Sequence, residues 1–161
     1  MIDIYLGIKK EEEEKQKEEN DDKNELLFEG EYINGKKCGK EYDHNGNLIF
    51  EGEYLNGEKW NGKGKEFNYL NDDIIFEGEY INGKKNGKCK EYYNNNSSNG
   101  ELKFEGEYLN GKRNGPGKEY NIDGILIFEG EYLNGKRNGK GKEYNNGKII
   151  FEGEYINDER K

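Results

Sequence analysis

The 161-residue chain contains no alanine, valine or threonine, and only one proline, one tryptophan, one histidine, two cysteines and two serines. These absences exclude much. Ser97 and Ser98 are the only aliphatic hydroxyl side chains, so no serine triad is readily assembled. His44 lies in Asp-His-Asn-Gly, which reads as an exposed turn. Cys38 and Cys89 fall on equivalent strands two repeats apart, roughly 19 Å by strand spacing and beyond disulfide reach, so both are expected to be free thiols. With one histidine they do not make up a zinc site, and no metal or other cofactor is expected. No apolar run approaches the roughly 20 residues of a membrane helix. Met1–Ile8 lacks the basic flank and small-residue cleavage site of a signal peptide, so a cytoplasmic protein is expected.

What is present is glycine, tyrosine, phenylalanine and charge. Hydrophobic residues make up 30% of the chain and charged residues 38%, with a formal net charge of −9. Composition alone leans toward disorder. Patterning argues the reverse, because Phe-Glu-Gly-Glu-Tyr begins at Phe28, Phe50, Phe76, Phe104, Phe128 and Phe151. The intervals of 22, 26, 28, 24 and 23 residues mark a repeat architecture in which neighbouring units share a thin core. Residues 26–161 are expected to form six such repeats. Residues 1–25 hold ten acids and five lysines and read as an acidic tail. Within it Lys9–Glu25 has no apolar residue and no face to bury, as in a solvated tail or frayed helix, while residues 1–8 are the candidate for a short edge strand.

Each repeat alternates apolar and polar residues and then reaches Asn-Gly, the strongest short-range hairpin signal. With Asn134-Gly135 as a two-residue turn, counting sets Tyr132 against Arg137, Gly130 against Gly139, Glu129 against Lys140 and Phe128 against Gly141. One face is then aromatic and glycine, the other acid and base. A three-residue joint at Asn145–Gly147 sets Gly141 against Phe151, and a four-residue joint at Asn121–Gly124 sets Gly117 against Phe128. Pro116 cannot donate to a ladder, so a bulge or a widely spaced pair is expected there. The whole is an all-β, elongated single-layer antiparallel meander of about twelve strands.

The array Phe128-Glu-Gly-Glu-Tyr132, Asn134-Gly135, then Gly139-Lys140-Gly141 resembles the MORN repeat, and Lys142-Glu143-Tyr144 resembles its variant form. The resemblance implies a hairpin sheet that serves as a scaffold or protein-interaction module, with membrane or phosphoinositide association in some members. Repeat one (Lys36–Tyr42) is two residues short and repeat two inserts one residue near Trp60.

Two surfaces are candidates for binding. A single layer is expected to leave its aromatic face part-covered, which makes Tyr54, Trp60, Tyr80, Tyr108, Tyr132 and Tyr155 the partner-binding candidates. The turn pairs Lys84-Lys85, Lys112-Arg113 and Lys136-Arg137 form a basic row for acidic phospholipid head groups, against which the overall acidity works. The primary reading is a non-enzymatic scaffold for a protein partner, or for a second copy of itself in a homodimer, with cytoskeletal or membrane association as the variant location. The alternatives are a peripheral phosphoinositide-binding module and the targeting fragment of a larger enzyme. Gly-Lys-Gly-Lys lacks the spacing and following helix of a phosphate loop, so no catalytic residue and no small-molecule substrate are expected. The negative charge argues against nucleic acid.

Overall fold

The computed structural model describes residues 15–20, 25–33, 36–68, 70–94 and 100–161. These form thirteen strands: β1 Lys15–Asn20, β2 Glu25–Ile33, β3 Lys36–Tyr42, β4 Leu48–Leu55, β5 Glu58–Phe67, β6 Ile74–Ile81, β7 Lys84–Tyr92, β8 Leu102–Leu109, β9 Lys112–Tyr120, β10 Leu126–Leu133, β11 Lys136–Asn145, β12 Lys148–Ile156 and β13 Glu159–Arg160. They make one antiparallel sheet in which spatial order equals sequence order. At about 4.8 Å per strand the sheet spans roughly 60 Å. The first strand, Lys15–Asn20, lies within the segment expected to be a tail and pairs with β2. The proposed edge strand at residues 1–8 lies outside the described residues.

The Asn-Gly turns behave as their chemistry requires. Asn134 and Gly135 have φ of 53° and 92°, the two successive positive values of a type I′ turn. The joint at Asn146-Gly147 is also a two-residue turn, with φ of 48° and 76°, so the expected three-residue loop is corrected.

The register differs from the sequence count in most hairpins. Tyr132 does pair with Arg137, but Gly130 then pairs with Gly141, Glu129 with Lys142 and Phe128 with Glu143. A bulge with Gly139 at φ 101° absorbs the two extra residues of β11. Because the slip is by two, every side chain keeps its face. The joints move correspondingly: Gly141 meets Gly153 and Glu143 meets Phe151, while Gly117 meets Gly130 and Glu119 meets Phe128. β2 and β3 pair without a register shift, as their shorter hairpin demands. In β4 and β5 the shift is of one residue only, with Phe50 against Gly64 and Gly52 against Gly62, because Trp60 alone stays unpaired between Lys59 and Asn61. Pro116 lies in the bulge that β9 makes against β8, while toward β10 it stays in register with Glu131.

The core is a single layer of rings. Phe28, Phe50, Phe76, Phe104 and Phe128 are buried, as are Tyr54, Tyr80, Tyr108, Tyr132 and Tyr155. Each phenylalanine meets the tyrosine of its own or the next repeat edge to face, at centroid distances from 5.0 to 6.1 Å. Such contacts contribute about 0.5–1.5 kcal/mol each beyond area burial. The glycines are the floor on which the rings lie. A Cβ on Gly141 would stand 2.6 Å from Phe128 Cζ, and one on Gly130 would stand 2.7 Å from both that atom and the Gly141 Cα.

Candidate binding groove

Each face of the sheet is finished differently, and the difference follows from which residues the register brings together. On the aromatic face the glutamate of each Lys-Glu-Tyr stands beside the phenylalanine of its hairpin, as Glu143 does with Phe128. Three of these carboxylates take core phenols: Tyr54 Oη donates to Glu41 at 3.0 Å, Tyr80 Oη to Glu66 at 2.7 Å and Tyr155 Oη to Glu143 at 2.7 Å. The second basic residue after each turn closes the rings from above. Lys85 Nζ sits 3.7 Å from the Phe76 centroid and 2.9 Å from Glu66. Arg113 lies 4.0 Å over Phe104 and bridges Glu91 at 2.9 Å and Glu119 at 3.0 Å. Arg137 lies 4.1 Å over Phe128, pairs with Glu119, and reaches Glu143 at 3.6 Å. Arg160 covers Phe151 at 4.7 Å and pairs with Glu143. The hydrogen bond from Arg160 is the chief cause that holds the Glu143 carboxyl below its ordinary range.

This closure bears on both candidate surfaces. The five tyrosines offered as partner-binding residues are 2–8% exposed, because rings stack on rings and charged stems lie on top. Trp60 is half-buried at the β5 bulge, against the Asn82-Gly83 turn, where a Cβ on Gly83 would be 3.5 Å from its ring. The basic row is likewise divided. Lys85, Arg113 and Arg137 are engaged with rings and carboxylates, and only Lys84, Lys112 and Lys136 stay exposed at the turns. His44 is exposed in its turn, where Asp43 Oδ1 accepts from the Asn45 and Asn47 amides, and both cysteines are free thiols. Burial raises the Cys38 and Cys89 thiols above their ordinary range.

The opposite face is a groove of about 1290 Å³ running from β4 to β12. Nine glutamates and seven lysines line it, with the glycine pairs as its floor. Along the middle of this face Lys65, Glu77, Lys90, Glu105, Lys118, Glu129, Lys142 and Glu152 follow one another strand by strand in alternating sign. Lys90 reaches Glu77 at 3.1 Å and Lys142 reaches Glu152 at 3.4 Å.

One rim carries phenols. Tyr92 Oη donates to Glu77 at 2.8 Å, Tyr120 Oη to Glu105 at 2.7 Å and Tyr144 Oη to Glu129 at 2.6 Å. Burial and then the Glu105 bond push Tyr120 up to about 12, and the Glu129 bond raises Tyr144 to about 12. The other rim carries aliphatic side chains next to the turns: Ile81, Leu109, Leu133 and Ile156 are 47–50% exposed. Neither the tyrosine caps nor this aliphatic row was expected from the sequence. The signal for the caps was a constant separation, since each of the three tyrosines follows its glutamate by 15 residues.

Residues 28–40, 76–98, 104–125 and 128–149 match the family model of the MORN repeat. The chain belongs to the MORN-repeat family. Among curated proteins no sequence matches it. The MORN-like units at Phe50 and Phe151 lie outside these matches, and the first of them is the one whose hairpin bulges by a single residue at Trp60. MORN arrays are repeat scaffolds that act as protein- or membrane-interaction modules. Among the described residues no helix is long and apolar enough to cross a membrane.

Proposed function

We propose that this MORN array is a non-enzymatic scaffold that holds a segment of a protein partner along the groove of its Glu/Lys face. One observation carries the reading: the aromatic face is closed by its own carboxylates and cations, whereas the opposite face keeps an open groove with a half-exposed aliphatic rim. Exposed apolar side chains recurring on every second strand beside a polar floor are the composition of an interface rather than of free surface. The charge ladder suits recognition more than affinity, because Glu77 and Glu152 are already ion-paired, Glu105 and Glu129 already accept phenol hydrogen bonds, and exposed pairs contribute little.

The expected outcome is that Leu109→Ser combined with Leu133→Ser abolishes partner capture from native lysate while far-ultraviolet circular dichroism is unchanged. Both side chains are about half exposed, so the fold loses little. Capture that persists in this variant overturns the groove as the docking surface. Light scattering across a dilution series tells whether the occupant is a second copy of the chain. The basic turns provide a weaker case for lipid, because only Lys84, Lys112 and Lys136 remain exposed. Changing these three to glutamate is expected to leave partner capture intact.

A further inference from the structure

The last residue before tyrosine in the repeat is a glutamate, and in the groove it faces a lysine on the preceding strand. Lys63 stands opposite Glu79, Lys88 opposite Glu107 and Lys140 opposite Glu154. The series breaks once within the groove, where Pro116 stands opposite Glu131. Glu131 is exposed, and, like Glu79 and Glu107, it makes no ion pair closer than 4 Å among the described residues, but within the groove it alone has no lysine on the preceding strand across from it. On its other side it meets the β11 bulge, and the lysine there is in register with Glu154. A comparable break at Cys38, opposite Glu53, lies outside the groove lining, and Glu53 accepts from Asn61 Nδ2 at 2.9 Å. The rung at Pro116 therefore combines an exposed pyrrolidine ring, a carboxylate with no lysine across from it on the preceding strand and, on the strands to either side, the exposed rim residues Leu109 and Leu133.

Resting on the reading that a protein segment occupies the groove, we propose that this segment places an arginine at the Pro116 rung. Its guanidinium pairs with Glu131 and its stem lies across the proline ring. The chain lacks one positive charge at this rung, and the partner supplies it. Arginine fits better than lysine, because a planar, weakly hydrated guanidinium can meet a carboxylate through two parallel bonds while its methylenes cover an apolar ring. Aliphatic residues on either side of the arginine reach Leu109 and Leu133, which are two strands and so roughly 10 Å apart.

Random 16-residue peptides displayed on phage, selected against the intact chain, test this directly. The selected sequences are expected to share one arginine between aliphatic residues. A synthetic peptide of that sequence, followed by fluorescence anisotropy, is expected to lose about 2–5-fold in affinity when its arginine becomes alanine, the range of an exposed ion pair. Against Glu131→Gln, and against Pro116→Lys, which restores the in-chain partner, the same alanine peptide is expected to bind as well as its parent. Both variants keep their fold by circular dichroism, since lysine occupies the equivalent position in β11. Selected peptides without a basic residue, or an arginine whose loss is felt equally by the intact chain and Glu131→Gln, overturn the arginine and leave the groove standing. No enrichment at all, or enrichment that survives Leu109→Ser with Leu133→Ser, overturns the groove reading itself.

Discussion

The glycines of Phe-Glu-Gly-Glu-Tyr work by the absence of a side chain. Gly130 and Gly141 face each other in register, and the Phe128 ring lies over both. A methyl group on Gly130 would stand 2.7 Å from the Gly141 Cα and from the Lys140 carbonyl, backbone that cannot turn aside as a side chain can. Gly130→Ala is therefore expected to destabilise by about 1–3 kcal/mol, the usual cost of overpacking, and to alter the near-ultraviolet circular dichroism of the stacked rings. Gly135→Ala is the contrasting case. Its Cβ meets nothing within 4 Å, but φ is 92°, so only backbone strain opposes it and the ring signal should remain unchanged. Equal ring signals in the two variants would count against the glycine floor. This pairing of ring and glycine was readable from alternation alone, because which residues share a face depends only on period 2. Which glycine a ring covers was not, because that depends on register.

At the level of the hairpin, register is set by a bulge that period-2 counting passes over. Gly139 sits where a strand residue would sit, and nothing in Asn-Gly-Lys-Gly by itself says that the chain leaves the ladder there. The clue lay in comparing lengths. Lys36–Tyr42 and Lys136–Tyr144 end alike at Lys-Glu-Tyr, yet differ by two residues, so two residues of the longer hairpin must go unpaired if the ends are to match. The short hairpin shows the outcome, with Phe28 against Glu41 and no shift. Deleting Gly139 and Lys140 is accordingly expected to give a folded chain in which Gly130 still pairs with Gly141. A nuclear Overhauser contact between their α protons would establish it. Pairing that moves to Gly130 and Asn138, or loss of the fold, would show that the bulge is required rather than accommodated. The groove was hidden for the same reason: its Glu/Lys face was legible, but its rung order and its tyrosine caps follow only from the slipped register.

Across the whole sheet, each strand is hydrogen-bonded only to its sequence neighbours and its side chains reach one strand further, so stability is a sum of short-range terms rather than the property of one centre. Those terms are not equal along the array. The cation over the rings is Lys59 in β5 and Lys85 in β7, then Arg113 in β9 and Arg137 in β11. A lysine gives one point charge, as Lys85 does to Glu66, whereas Arg113 joins Glu91 to Glu119 and Arg137 joins Glu119 to Glu143. The arginines thereby tie β7, β9 and β11 into one network over the core, at groups that are mostly buried and so weakly screened. Hydrogen exchange at neutral pH is expected to show the slowest backbone amides in β8–β11 and faster exchange in β4–β6, with the difference reduced by Arg113→Lys and Arg137→Lys together. Uniform exchange along the array would mean that the sheet opens as a single unit and that the arginine network does not localise its stability. A gradient would instead fix where the groove is rigid, and Leu109, Pro116, Glu131 and Leu133 all lie on β8–β10, within that rigid half.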